Sequence, residues 1–199
     1  MREGLFIVIY GINNLGKTTQ VGLLLDDLIK SGLKAEYVKY PIYDLNPTGP
    51  KINAVLRSGR KQEISEKELQ ELYTQNRRDF QPQLCQKIGN GVNIIAEDYI
   101  GTGLAWGWTK GTELEKLIES NRGLVKPDIE ILLDGERFIG SREADHIHES
   151  DDMLMEKCRK NHLELAARFG WAVVNANQEP AAVHQDILAI IERKIKELD

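Results

Sequence analysis

Apolar and polar residues follow two rhythms along this chain. Short continuous apolar runs predict buried strands, and longer stretches with apolar positions three and four apart predict amphipathic helices. Residues 5–10, Leu-Phe-Ile-Val-Ile-Tyr, are the first run. A helix is predicted from about Lys17 to Lys30, with Val21, Leu24, Leu25, Leu28 and Ile29 as its stripe and Gly32 ending it. Ala35 to Tyr40 reads as the second strand, stopped by Pro41. Asn46, Pro47, Gly49 and Pro50 make residues 42–50 a loop, with a short helix after it from about Lys51 to Arg57. Ser65 with Glu68 three residues later forms a capping box for a long helix to about Ile88. Its stripe is Leu69, Leu72, Tyr73, Asn76, Phe80 and Leu84.

The alternation continues to the end. Gly89-Asn90-Gly91 marks a turn before a third strand, Val92 to Ala96, and residues 101–123 read as helical pieces broken by glycines. Ile129 to Leu133 is the fourth strand, and residues 135–150 are polar and punctuated by glycine. A helix from Asp151 to Phe169, a fifth strand from Trp171 to Val174 and a last helix from Glu179 to Leu198 complete the pattern. Strands separated by helices predict an α/β fold, a five-stranded parallel sheet with helices on both faces. No repeat or linker divides residues 1–199, so one domain is expected.

Composition narrows the classes. Hydrophobic residues make up 41% and charged residues 29%, the balance of a globular chain. A formal net charge of −5 argues against a nucleic acid polymer or a membrane surface as partner. No apolar stretch reaches the roughly 18 residues of a membrane span. Met1-Arg2-Glu3-Gly4 runs straight into the first strand without a signal peptide, so a cytoplasmic location is expected. Cys85 and Cys158 have no metal-ligand spacing and are expected to be buried thiols.

The chemistry begins right after the first strand. Gly11-Ile12-Asn13-Asn14-Leu15-Gly16-Lys17-Thr18, continued by Thr19, is the G-x-x-x-x-G-K-T phosphate loop. Gly11 and Gly16 allow a tight wrap whose N–H groups face phosphate oxygens, and a helix starting there turns its positive end to the anion. Lys17 supplies a cation for the outer phosphates and Thr18 a hydroxyl for Mg²⁺. At the end of the third strand stand Glu97 and Asp98, either of which can hold Mg²⁺ or orient a nucleophile. Tyr73 and Arg77, four apart, share a helix face and can sandwich and hydrogen-bond a flat base. Arg137, Arg142, His146 and His148 lie in the 135–150 segment, expected to be a lid over the triphosphate.

In this order and spacing the motifs resemble the thymidylate kinases, a branch of the P-loop nucleoside monophosphate kinases, over nearly the whole chain. Gly16-Lys17-Thr18-Thr19-Gln20 ends the loop as in that family, and Tyr40-Pro41 is similar to its Phe-Pro. Tyr73-Thr74-Gln75-Asn76-Arg77-Arg78 resembles its base-binding segment. Glu97-Asp98-Tyr99, with Thr102 and Ala105-Trp106, stands where the family has Asp-Arg-Tyr, Ser and Ala-Tyr. Lys126-Pro127-Asp128, Asp145-His146-Ile147-His148-Glu149 and Asn175-Ala176-Asn177 match its later landmarks, the last being the stretch that touches adenine. The resemblance implies a three-layer P-loop NTPase fold. It also implies transfer of the γ-phosphoryl group of ATP·Mg²⁺ to dTMP or a related nucleotide. Lys17 and Arg142 would stabilise that group, Thr18 and Glu97 would organise Mg²⁺, Tyr73 would stack on the base, Arg77 would bond its edge and Trp106 would line the pocket. A homodimer is expected by the same analogy.

The departures gather at the acceptor's phosphate. The family's acidic residue in the loop is Asn13, its arginine after Phe-Pro is Tyr43, and the arginine of Asp-Arg-Tyr is Asp98. Its lid arginine is His146, a place Arg142 can take. A carboxylate about 5 Å from a phosphate charge costs roughly 3 kcal/mol per charge pair at an effective dielectric near 20. Mg²⁺, Lys51, Arg57 or Arg78 must then compensate. Two further readings stay open: a nucleoside kinase using Asp98 as general base, and a nucleotide-binding protein with little catalysis.

Overall fold

The first strand, β1 (Phe6–Tyr10), is buried along its whole length, as a central parallel strand covered on both faces must be. The computed structural model describes residues 4–57, 64–137 and 152–198. Arg142, His146, His148 and most of the expected lid lie outside them. After β1 come α1 (Lys17–Lys30), β2 (Ala35–Lys39), α2 (Thr48–Arg57), α3 (Glu66–Gly89) and β3 (Asn93–Glu97). Then follow α4 (Ile100–Thr109), α5 (Leu114–Ser120), β4 (Ile129–Asp134), α6 (Asp152–Phe169), β5 (Ala172–Asn175) and α7 (Pro180–Leu198). The five strands form one sheet in the order β2-β3-β1-β4-β5, and every pairing is parallel.

Helices α1 and α7 pack together on one face of the sheet, while α3, α4 and α6 form the other layer. The connection leaving β1 therefore goes to one face and that leaving β3 to the opposite one. Their carboxyl ends diverge, which opens a crevice between adjacent strands. Ile9 pairs with Glu97 and Lys39 also pairs with Glu97, so the ends of β1, β2 and β3 stand level around it. A small second core of Ile52, Leu56 and Leu69 joins α2 to α3 beside this crevice. No described helix is long and apolar enough to cross a membrane.

Three local expectations need correction. Helix α2 starts at Thr48, with Gly49 and Pro50 in its first turn, where a missing N–H leaves no bond unmade. Gly101, Gly103 and Gly107 do not break the 101–123 region but lie inside α4. A Cβ at Gly101 would come within 2.5 Å of the Trp171 ring, so that glycine admits close packing. The break falls at Gly111, in the left-handed region with φ +95°. Finally, Cys158 is buried but Cys85 is exposed, because it follows Leu84 onto the outer face of α3.

Candidate active site

The loop from Gly11 to Gly16 is pinned from below and open above. Ile12 and Leu15 bury their side chains in the core. A Cβ at Gly11 would sit 2.7 Å from the Leu133 carbonyl oxygen, so the strand end tolerates only glycine there. Asn14 and Gly16 take positive φ, +64° and +80°, which turns the backbone into a concave wrap. No side chain caps α1, leaving its first N–H groups to the wrap. Lys17 is buried and donates from Nζ to the carbonyl oxygens of Gly11 (2.9 Å) and Ile12 (3.1 Å).

Two carboxylates at the end of β3 face this loop. Glu97 accepts from Thr18 Oγ1 at 2.8 Å and from the Tyr37 hydroxyl at 2.7 Å, both on Oε2, while Lys39 Nζ lies 2.9 Å from Oε1. Burial raises its pKa, but Lys39 and Tyr37 outweigh burial and hold the carboxyl below the usual range. Asp98 follows with φ +63°, accepts from Thr102 Oγ1 at 2.8 Å and lies 3.9 Å from Lys17 Nζ. Here burial wins over Lys17 and the pKa goes up.

Both carboxylates and the loop share one cavity of about 340 Å³ with an aromatic end. Tyr43, Tyr73, Trp106 and Leu69 line that end, and Arg77 reaches it from α3. Asn76, fully buried, bonds the Ile42 N–H, the Ile42 carbonyl and Thr48, and so fixes the loop that presents Tyr43. Arg77 is 4% exposed. Its guanidinium donates to Asn121 Oδ1, the Tyr99 carbonyl and Thr74 Oγ1, and burial pulls its pKa down to about 10. A Cβ at Gly103 would lie 3.2 Å from Arg77 Nη2, so the glycine keeps the guanidinium open to the cavity. Lys110 pairs with Glu66 at 3.0 Å, and Glu66 also accepts from Gln70 at 2.7 Å.

The structure brings together Asn13, Asn14, Gly16, Lys17, Thr18, Thr19, Tyr43, Tyr73, Arg77, Glu97, Asp98 and Trp106 around that cavity. Of the expected compensating cations, it does not bring Lys51 or Arg78. Lys51 is exposed and outside the lining, and Arg78 turns away to the carbonyls of Ser120 and Arg122. The Arg57 side chain lies outside the description. Instead Lys39 and Lys110 line the cavity, and both escaped the sequence reading. Lys39 is signalled only by the register of β2 against β3; Lys110 is one helical turn past Trp106. Asn175 and Asn177 line a second hollow at the ends of β4 and β5, where Arg159 clamps Asp134 with two bonds of 2.7 and 2.9 Å.

A family model described as thymidylate kinase matches residues 9–187, most of the chain. The chain belongs to the thymidylate kinase family. It is 32% identical over 206 residues to a probable thymidylate kinase of Thermococcus kodakarensis, covering 97% of this chain and 100% of that one. Human thymidylate kinase is 25% identical over 200 residues, covering 98% of this chain and 93% of the human one. The solved structure of thymidylate kinase from Candida albicans matches with a TM-score of 0.83 at 24% identity, over 96% of this chain and 92% of that one. This likeness gives the P-loop NTPase fold. Membership makes the chain a thymidylate kinase-like phosphotransferase, an ATP-dependent nucleotide kinase. The nucleoside-kinase and binding-only readings are correspondingly disfavoured.

Proposed function

We propose that this enzyme transfers the γ-phosphoryl group of ATP to dTMP. The observation that carries the reading is the 2.8 Å contact between Thr18 of the phosphate loop and Glu97 of β3. It brings a hydroxyl and a carboxylate together at the mouth of an anion-binding wrap. These are the hard oxygen donors that Mg²⁺ takes beside phosphates. Thr18 and Glu97 would hold that ion, whose charge would offset that of the phosphate oxygens.

The chain's own residues do the rest. Backbone N–H groups of Asn13 to Thr19 hold the polyphosphate. The Lys17 ammonium exchanges the carbonyls of Gly11 and Ile12 for phosphate oxygens and stabilises the transferring group. Arg142 is assigned the same task, and residues around Asn175–Asn177 receive the adenine. At the other end Tyr73 stacks on thymine, Arg77 donates to its edge, and Tyr43 and Trp106 enclose sugar and phosphate. Asp98 stands beside the acceptor phosphate. Positioning both phosphates in a dry cleft supplies most of the catalysis, because the transition state is loose and needs little covalent help.

An ADP-release assay across nucleoside monophosphates and thymidine tests this. The expected result is the highest kcat/KM with dTMP. A preference for thymidine, or silence with every acceptor, overturns the assignment.

A further inference from the structure

The phosphate-loop end of the cavity carries Glu97 and Asp98, yet a nucleoside monophosphate brings about two more negative charges at neutral pH. Tyr43 and Asp98 supply no positive charge to meet them. Among the described residues, the cavity's cations are Lys17, Lys39, Arg77 and Lys110. Lys17 belongs to the loop, folded onto Gly11 and Ile12. Arg77 is committed to Asn121, Tyr99 and Thr74 deep in the aromatic end. Lys110, with Glu66, sits a helical turn beyond Trp106. Lys39 has the required position. It ends β2 beside Tyr40-Pro41, opposite Glu97 in register, and its ammonium reaches Glu97 Oε1 at 2.9 Å. Its side chain is 48% exposed, so the flexible stem has room to swing.

We propose that Lys39 is the cation that grips the acceptor's phosphate, a lysine from β2 in place of guanidinium clamps. The proposal rests on the phosphate-bearing acceptor assigned above. Glu97 keeps its place when Lys39 turns, because Thr18 and Tyr37 hold its other oxygen at 2.8 and 2.7 Å. Lys39 thus has two anions to serve, and a cation taken up at Glu97 lowers its hold there. Acceptor binding is then expected to tighten when Mg·ADP is present.

Calorimetry on the full chain separates the roles. Lys39→Met is expected to lose about tenfold or more in dTMP affinity, the worth of one charge-assisted bond. Its thymidine affinity stays at the parent's value, since thymidine has no phosphate, and its Mg·ADP affinity does not fall, because Lys39 no longer competes with the cation for Glu97. Lys39→Arg retains dTMP binding, and Lys51→Met, outside the cavity, changes nothing. Equal dTMP affinity in parent and Lys39→Met overturns the proposal. So does a loss confined to Mg·ADP, which would make Lys39 a positioning residue for Glu97 alone. A parent protein that binds thymidine but no monophosphate overturns the dTMP assignment itself, and this proposal with it.

Discussion

The two ends of the cavity are assembled differently. The phosphate-binding end is one unbroken stretch, Gly11 to Thr19, whose shape comes from its own glycines and from Ile12 and Leu15 anchored in the core. The proposed acceptor end is collected from the tip of β2, the middle of α3, the tip of β3 and α4. A local loop tolerates little change, because each residue has a fixed backbone task. A composite surface can lose a charge at one position and regain it from another element. Tyr43 and Asp98 stand where cations are expected, and Lys39 enters from the neighbouring strand. With Lys39 as the proposed clamp, the contrast is between donor chemistry fixed by a local motif and acceptor electrostatics redistributed over the fold.

Removing Lys17 tests the division most severely. Lys17→Ala is expected to weaken Mg·ATP binding on the order of 100-fold by calorimetry, through loss of charge-assisted bonds to phosphate. Thymidine should still bind as in the parent. Undiminished ATP uptake would break the comparison at its local end.

Next comes Asp98→Asn, which keeps an acceptor for Thr102 and suits a positive φ. Relief of a repulsion of roughly 3 kcal/mol should tighten dTMP binding on the order of 100-fold at neutral pH. The same change bears on stability. Burial raises the Asp98 pKa in the fold, so the folded chain binds this proton more readily than the unfolded one. The destabilisation is absent below the ordinary carboxylate pKa and appears as pH rises through the raised value. Asp98→Asn should therefore melt higher than the parent at pH 8, and the gap should close on acidification towards about pH 4. A gap that is constant with pH would contradict the buried, strained carboxylate.

Smaller effects sharpen the acceptor end. At Gly103→Ala the new methyl would press Arg77 Nη2 at 3.2 Å and Gln70 at 3.4 Å. Steady-state kinetics should show the dTMP KM raised several-fold, with the KM for ATP unaltered. A parallel rise in both would mean that the ends are not independent. The smallest expected change is Ser65→Ala. Ser65 and Glu68 exchange both bonds of a capping box at the start of α3. Its loss should lower unfolding free energy by about 1 kcal/mol in a denaturant titration, without altering either KM.

Legibility followed the same division. The phosphate loop, the start of α1 and the capped start of α3 were readable because each is a short-range pattern with its own geometry. The start of α2 was not, since Pro50 signals a break wherever it stands and only its place in the first turn makes it harmless. The glycines of α4 read as breakers, yet Gly103 faces Arg77 and Gly107 faces Leu117 and Gln70, contacts made with other helices. Asn76 looked like one position in an apolar stripe. In the fold it ties α3 to the loop before Tyr43.

By itself the sequence determined the α/β alternation, the anion-binding loop with Lys17 and Thr18, and the pair of acidic residues at the end of the third strand. Strand periodicity and glycine spacing act over a few residues, so these need no knowledge of neighbours. Only the tertiary structure decided that Thr18 meets Glu97, that Arg77 is buried with no carboxylate partner among the described residues, and that Lys39 lines the cavity. Those facts depend on sheet order and register, which join residues from one end of the chain to its middle. Electrostatics follows distance in space and takes no account of distance along the chain.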